Sequence, residues 1–213
     1  MTNKIFWDDP YQTSLKTKVS SVDGNIITVE DTIFYAMSGG QESDFGCFNK
    51  IEVLEAKKQN TDISYTLPEG HNLKVGNPVE IEIDWERRYK LMRLHFAAEV
   101  VLEIINELLK APTKIGANIS PSKARIDFEF QKSISELLPL INIEAKKIFD
   151  ANSEIISDFS DKPKDRRYWE VKGFSKVPCG GTHLKQTGEV GEITLKRKNI
   201  GKGKERVEII LNE

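Results

Sequence analysis

The apolar residues of this chain change their spacing at Asp84, and that change constrains the fold more than any other feature of the sequence. Before it, short segments alternate: Ser14-Leu15-Lys16-Thr17-Lys18-Val19, Asn25-Ile26-Ile27-Thr28-Val29, Ile51-Glu52-Val53-Leu54-Glu55 and Val79-Glu80-Ile81-Glu82-Ile83. A period of two gives each segment one face for a core and one for water, so they read as strands. Asp23-Gly24, Pro68-Glu69-Gly70 and Gly76-Asn77-Pro78 are the turns between them, and a small antiparallel barrel or sandwich is expected. After Asp84, Leu91, Leu94, Ala98, Val101, Leu102, Ile105 and Leu108 recur at three and four. That spacing predicts one long helix from Trp85 to Lys110, ended by Ala111-Pro112. Ala124-Arg125-Ile126-Asp127-Phe128 again alternates as a strand does. A second helix is expected from about Ile134 to Asn152, with Pro139 tolerable only in its first turn. Tyr168 to Val171, Glu192 to Lys198 and Arg206 to Leu211 return to strands. The expected class is α+β: an N-terminal antiparallel β-barrel domain over 1–84, then an α+β domain over 85–213 with long helices packed on a sheet.

Composition narrows the function classes. No apolar run approaches the ~20 residues of a membrane span; the strongest, Val100 to Ile105, carries Glu103. Residues 1–11 have no apolar signal core, so a cytoplasmic protein is expected. The two cysteines, Cys47 and Cys179, do not make a disulfide framework, and each is read alone. Charge is uneven: residues 162–213 hold 13 Lys or Arg against 7 Asp or Glu, a net +6, which leaves −8 for the rest. A basic carboxyl end suits a polyanion such as nucleic acid, and equally a solvated edge guarded by lysines.

The 3 histidines can be taken one at a time. His71 lies in the polar turn Glu69-Gly70-His71-Asn72 and reads as a surface residue. His95 falls within the long helix, with Glu99 one turn later on the same side. Such a pair serves either as a helix-surface hydrogen bond or as two stacked metal ligands. In Pro178-Cys179-Gly180-Gly181-Thr182-His183, a thiol and an imidazole stand four apart around two glycines that permit a tight bend. Either Cys179 is a structural thiol beside an unrelated turn histidine, or His95 joins Cys179 and His183 in a set of the donor types zinc favours, with Glu99 completing it or leaving a place for water.

Three ordered segments resemble the AlaX family of free-standing alanyl-tRNA editing proteins, which are similar to the editing region of alanyl-tRNA synthetase. They are Cys179-Gly180-Gly181-Thr182-His183 with Thr187-Gly188-Glu189-Val190-Gly191 and Lys202 to Glu208; Thr32 to Gly46 with its glycine-rich Ser38-Gly39-Gly40-Gln41; and Arg87 to Glu99 with Arg125 to Phe128. The resemblance spans nearly the whole chain. It departs from the family where His95 and Glu99 stand for a pair of helix histidines, Ser38-Gly39-Gly40 for three glycines, and Ala36 for a proline.

The resemblance implies hydrolysis of the ester between a wrong amino acid, chiefly serine, and the terminal ribose of alanine tRNA. A pocket made for alanine rejects an analogue that merely adds a hydroxyl only about a hundredfold, so a second, hydrolytic site is needed. It further implies Zn2+ held by His95, Glu99, Cys179 and His183, with Glu99 as fourth ligand in preference to a base receiving a proton from water. Thr32 matches the position that meets the serine side chain. Gln41 and Asp44 help shape the pocket, and Gly39 and Gly40 let the backbone approach. Lys196, Arg197, Lys198, Lys202, Lys204 and Arg206 are candidates to approach the tRNA backbone. Two other readings remain at this point: a non-catalytic tRNA-binding or synthetase-associated module with a decayed site, and a purely structural zinc site.

Overall fold

A computed structural model describes residues 2–212. Among the described residues the chain is mixed α+β, mostly strands with two α-helices, and it divides into two compact units: Met1–Ser38 with Glu42–Tyr89, and Gly39–Gln41 with Lys90–Glu213.

The first unit is built on a curled seven-stranded antiparallel sheet. Its order is Ile51–Glu52, Gly46–Phe48, Pro78–Ile83, Ser14–Asp23, Ile26–Val29, Asp62–Thr66 and Glu55–Gln59. The alternating segments behave as their pattern demands: Val19, Ile27, Val29, Val79 and Ile81 are buried while their neighbours face outward. Gly24, at φ +59°, makes the hairpin in which Asp23 pairs with Ile26. The segment expected as one strand over Ile51 to Glu55 is broken at Val53 and Leu54. There the Val53 N–H turns to the Gly46 carbonyl and that of Leu54 to Thr66, so one stretch of chain supplies both end strands of the sheet. The strand Asp62–Thr66 had no counterpart in the sequence reading.

The second unit carries helix α1, Trp85–Leu109, which begins in the first. Asp84 caps it, its Oδ1 accepting the Arg87 N–H at 3.0 Å. Leu91, Leu94, Ala98, Val101 and Ile105 are buried as their spacing requires, but so are Met92, Phe96, Ala97, Val100 and Ile104 on other faces. The middle of the helix is therefore enclosed, with Leu102 half-buried and Leu108 exposed near its end. Lys110 and Ala111 take left-handed φ before Pro112.

A four-stranded antiparallel sheet follows, in the order Lys114–Ser120, Lys123–Glu129, Lys204–Leu211, Ile193–Asn199. A three-stranded one has Arg166–Val171 between Ile156–Asp161 and Ser175–Pro178. Helix α2, Leu138–Asp150, starts four residues later than expected because Pro139 occupies its first turn, and it packs against Ile193–Asn199. Trp169, wholly buried, meets Phe96 of α1 edge to face with ring centroids 5.2 Å apart.

Candidate metal centre

Two pieces of chain 84 residues apart deliver the four donors. Helical spacing puts His95 and Glu99 of α1 on one face, with His95 Nε2 at 3.4 Å from Glu99 Oε1. The second piece leaves the strand Ser175–Pro178, where the Cys179 N–H still bonds the Arg167 carbonyl at 2.9 Å, and then bends through Gly180 and Gly181. That bend carries Cys179 Sγ to 3.3 Å from His95 Nε2 and His183 Nε2 to 3.2 Å from Glu99 Oε2. One ligand atom from each of the four residues lies within 4.8 Å of every other.

Gly181 is required by this bend. A Cβ there would lie 2.0 Å from His95 Cε1, 2.6 Å from its Nδ1 and 2.8 Å from Gln41 Oε1, whereas one at Gly180 would meet nothing within 4 Å. The Gly181 N–H also points at Cys179 Sγ, at 3.4 Å, helping to hold a thiolate. From the glycine-rich segment, Gly39, Gly40 and Gln41 belong to this second unit. Gly40, at φ +91°, passes so close to Ala117 that a Cβ would sit 2.9 Å from its carbonyl oxygen. Gln41, fully buried, reaches His95 and Thr182.

The electrostatics are those of mutually supporting opposite charges. Burial works against the charged form of each group, yet Glu99 and Cys179 outweigh it and hold His95 well above the ordinary imidazole pKa. His183 is raised against the same opposition by Cys179 and Glu99. Despite its burial, Glu99 is pushed below the carboxylate range by His95 and His183. Against burial and the neighbouring Glu99, the two histidines lower Cys179 to about 7. Two proton-holding imidazoles facing a carboxylate and a thiol form a cage whose positive charge a divalent ion can supply in place of the protons.

Thr32, Asp44 and His71 fall in the first unit. Thr32 is buried, its Oγ1 at 2.6 Å from the Tyr65 hydroxyl and accepting the Phe34 N–H at 3.0 Å. Asp44, also buried, pairs with Arg88, whose Nε is 2.7 Å from Oδ1, and accepts the Tyr35 N–H at 2.6 Å. His71 accepts the Leu73 N–H at Nδ1, at 3.0 Å, and its Nε2 is 3.2 Å from the Gly24 carbonyl of the Asp23–Ile26 hairpin.

Of the basic strand residues, Arg197 is bound by Glu205, at 2.5 and 2.6 Å, and Arg206 by Asp127, at 2.6 and 2.8 Å. Lys196, Lys198, Lys202 and Lys204 are exposed.

Sequence reasoning missed Arg88, Tyr65 and Thr182. Arg88 had a usable signal, since it precedes Leu91 and His95 at the same three- and four-residue spacing and therefore shares their inward face. Tyr65 had none beyond its place in a polar segment.

A family model, the second additional domain of threonyl and alanyl tRNA synthetases, matches residues 167–208, which hold Cys179 and His183. Over 215 residues the chain is 35% identical to the alanyl-tRNA editing protein AlaX-M of Pyrococcus horikoshii, covering 99% of this chain and 98% of that one. It is 32% identical over 232 residues to the protein of that name from Saccharolobus solfataricus, covering 97% and 98%. It also aligns at 31% identity over 228 residues with an alanine–tRNA ligase of Methanococcus maripaludis, spanning 26% of that enzyme's length.

Proposed function

The chain belongs to the AlaX-M family of alanyl-tRNA editing proteins, and we propose that it acts in trans on mischarged alanine tRNA, hydrolysing the ester that joins a wrong amino acid, chiefly serine, to the terminal ribose. The observation that carries this reading is the convergence of His95, Glu99, Cys179 and His183. Two nitrogens, one sulfur and one carboxylate oxygen are donors zinc accepts, and the shortest separations, 3.2 to 3.4 Å, suit ligands around one small ion. Zinc held there supplies a Lewis acid for a water molecule or the ester carbonyl.

The remaining work is done by the chain. Cys179 and Glu99 would contribute two negative charges that balance a dication, and the oxygen that Glu99 turns toward each histidine supports reading it as a ligand rather than as a mobile base. Thr32 is the proposed contact for the serine hydroxyl. Tyr65 can donate to the Phe34 carbonyl, 3.4 Å away, and accept from Thr32, which leaves one lone pair on Thr32 for the substrate. Gln41 and Asp44 are read as shaping the substrate pocket, with Gly39 and Gly40 letting the backbone approach, and the exposed Lys196, Lys198, Lys202 and Lys204 offer charge to the tRNA backbone. We also read the curled sheet of the first unit as a closed barrel, since residues 51–59 supply both of its end strands, and residues 1–84 and 85–213 as the two domains. No helix among the described residues is long and apolar enough to cross a membrane, and an enzyme acting on tRNA works with the translation apparatus of the cytoplasm.

Protein purified without chelator, assayed on seryl- and glycyl-tRNA(Ala), tests the reading. The wild-type protein is expected to carry zinc and release serine, and His183→Ala to lose both. Full turnover by His183→Ala contradicts the site; tRNA binding without turnover by the wild type supports a non-catalytic module instead.

A further inference from the structure

We propose that Gln41 is a positioning residue for His95, fixing its ring so that Nδ1 carries the hydrogen and Nε2 turns its lone pair to the metal. The inference rests on the metal reading above and assigns a further role to a residue of the glycine-rich segment.

Donors and acceptors fix which way the Gln41 amide is turned. The backbone N–H of Thr182 is 3.3 Å from the end of the Gln41 side chain, and a backbone N–H only donates. The atom facing it is therefore the carbonyl oxygen of the amide, since the opposite flip would set donor against donor. With that orientation, Gln41 Nε2 donates to Thr182 Oγ1 at 2.9 Å, so both ends of the amide are satisfied. The same Oε1 lies 2.5 Å from His95 Nδ1. An oxygen without hydrogen bonds to that nitrogen only if the nitrogen is protonated. The other ring nitrogen, Nε2, is the one among the donors, 3.3 Å from Cys179 Sγ and 3.4 Å from Glu99 Oε1. Metal-binding histidines are oriented in this manner by an acceptor on their far nitrogen.

Two further features hold Gln41 in place. Its side chain is wholly buried, so water does not compete for the bond. Its backbone is fixed by a parallel bridge to Ile119, whose N–H bonds the Gly40 carbonyl at 2.7 Å.

The test uses Zn2+ alone, with affinity measured by competition against a chromophoric chelator. Gln41→Met, which keeps the length but removes the acceptor, is expected to lose about 10- to 100-fold in zinc affinity. Gln41→Glu, which keeps an acceptor oxygen, is expected to hold affinity within about threefold of the wild type or above it, on the same outer-partner logic. An unchanged constant for Gln41→Met in a protein that does bind zinc overturns this inference alone; no zinc binding by the wild type overturns the metal reading and this inference together. Two-bond 1H–15N correlation of the zinc-loaded wild-type protein gives a second readout independent of whether the variants fold. It should show His95 protonated at Nδ1 and metal-bound at Nε2, and the reverse arrangement refutes the proposal.

Discussion

Replacing Gly181 by alanine adds one methyl group, and the structure says where it must go. Its ideal position is 2.0 Å from His95 Cε1. Carbon atoms pack at about 3.5–4.0 Å, so the ring or the turn has to move by roughly 1.5 Å. His95 has little freedom to yield, being buried and bonded through Nδ1 to Gln41. Metal–ligand distances tolerate only about 0.2 Å, so a shift of this size removes His95 or Cys179 from the set. We therefore expect zinc affinity to fall by at least about a hundredfold, roughly 2.8 kcal/mol. Overpacking should separately cost about 1–3 kcal/mol of folding stability, with about 2–4 °C of Tm lost per kcal/mol. Gly180→Ala is the matched control: its Cβ meets nothing within 4 Å, and affinity, turnover and Tm should stay near those of the wild type. The assays are chelator competition, thermal unfolding and deacylation of seryl-tRNA(Ala) on both variants. If Gly181→Ala matched Gly180→Ala in all three, the close approach between turn and ring would be wrong.

Other outcomes follow from the same structure. Thr32→Val keeps the shape but removes the hydroxyl, and discrimination between seryl- and alanyl-tRNA(Ala) should drop by about two- to tenfold, one hydrogen bond's worth, with a smaller loss of rate; unchanged selectivity would reassign the contact. Asp44→Asn leaves the wholly buried Arg88 without its counter-charge, which should cost about 3–5 kcal/mol and lower Tm by on the order of 10 °C. A Tm within about 2 °C of wild type would show the pair to be dispensable. The hydrogen bonds from Arg197 hold Glu205 below its ordinary value of 4.5, so its contribution to stability is present above that value and lost as pH falls through the folded-state pKa. Glu205→Gln in metal-free protein should therefore unfold with a shallower dependence on acid, and an identical acid profile would count against the ion pair.

The change from strand to helix at Asp84 was legible because two hydrophobic periods meet there. The residue types that converge at His95, Glu99, Cys179 and His183 were legible, because few histidines had to be placed and one lay four residues from a cysteine across two glycines. Three of the strands that escaped notice share a physical reason. Lys114–Ser120, Ile156–Asp161 and Ser175–Pro178 are all sheet edges, and an edge with little buried surface has no alternation to display. Ile119 is the sole fully buried residue of the first of these. The beginning of α2 was misplaced because Ile134 is buried without being helical, its N–H instead bonding Glu205 at 3.3 Å. The pairing of Gln41 with His95 was not legible, since 54 residues separate them and neither spacing nor composition marks a hydrogen-bond partner at that range. The basic carboxyl end overstated its free charge, because two of its arginines are spent on acids within their own sheet.

X-ray absorption at the zinc edge of the loaded wild-type protein tests most directly whether these four side chains grip one ion. The account predicts a four-coordinate metal with a single sulfur at about 2.3 Å and three nitrogen or oxygen neighbours at about 2.0–2.2 Å. A first shell without sulfur, or a six-coordinate, mostly aqueous environment, would contradict it.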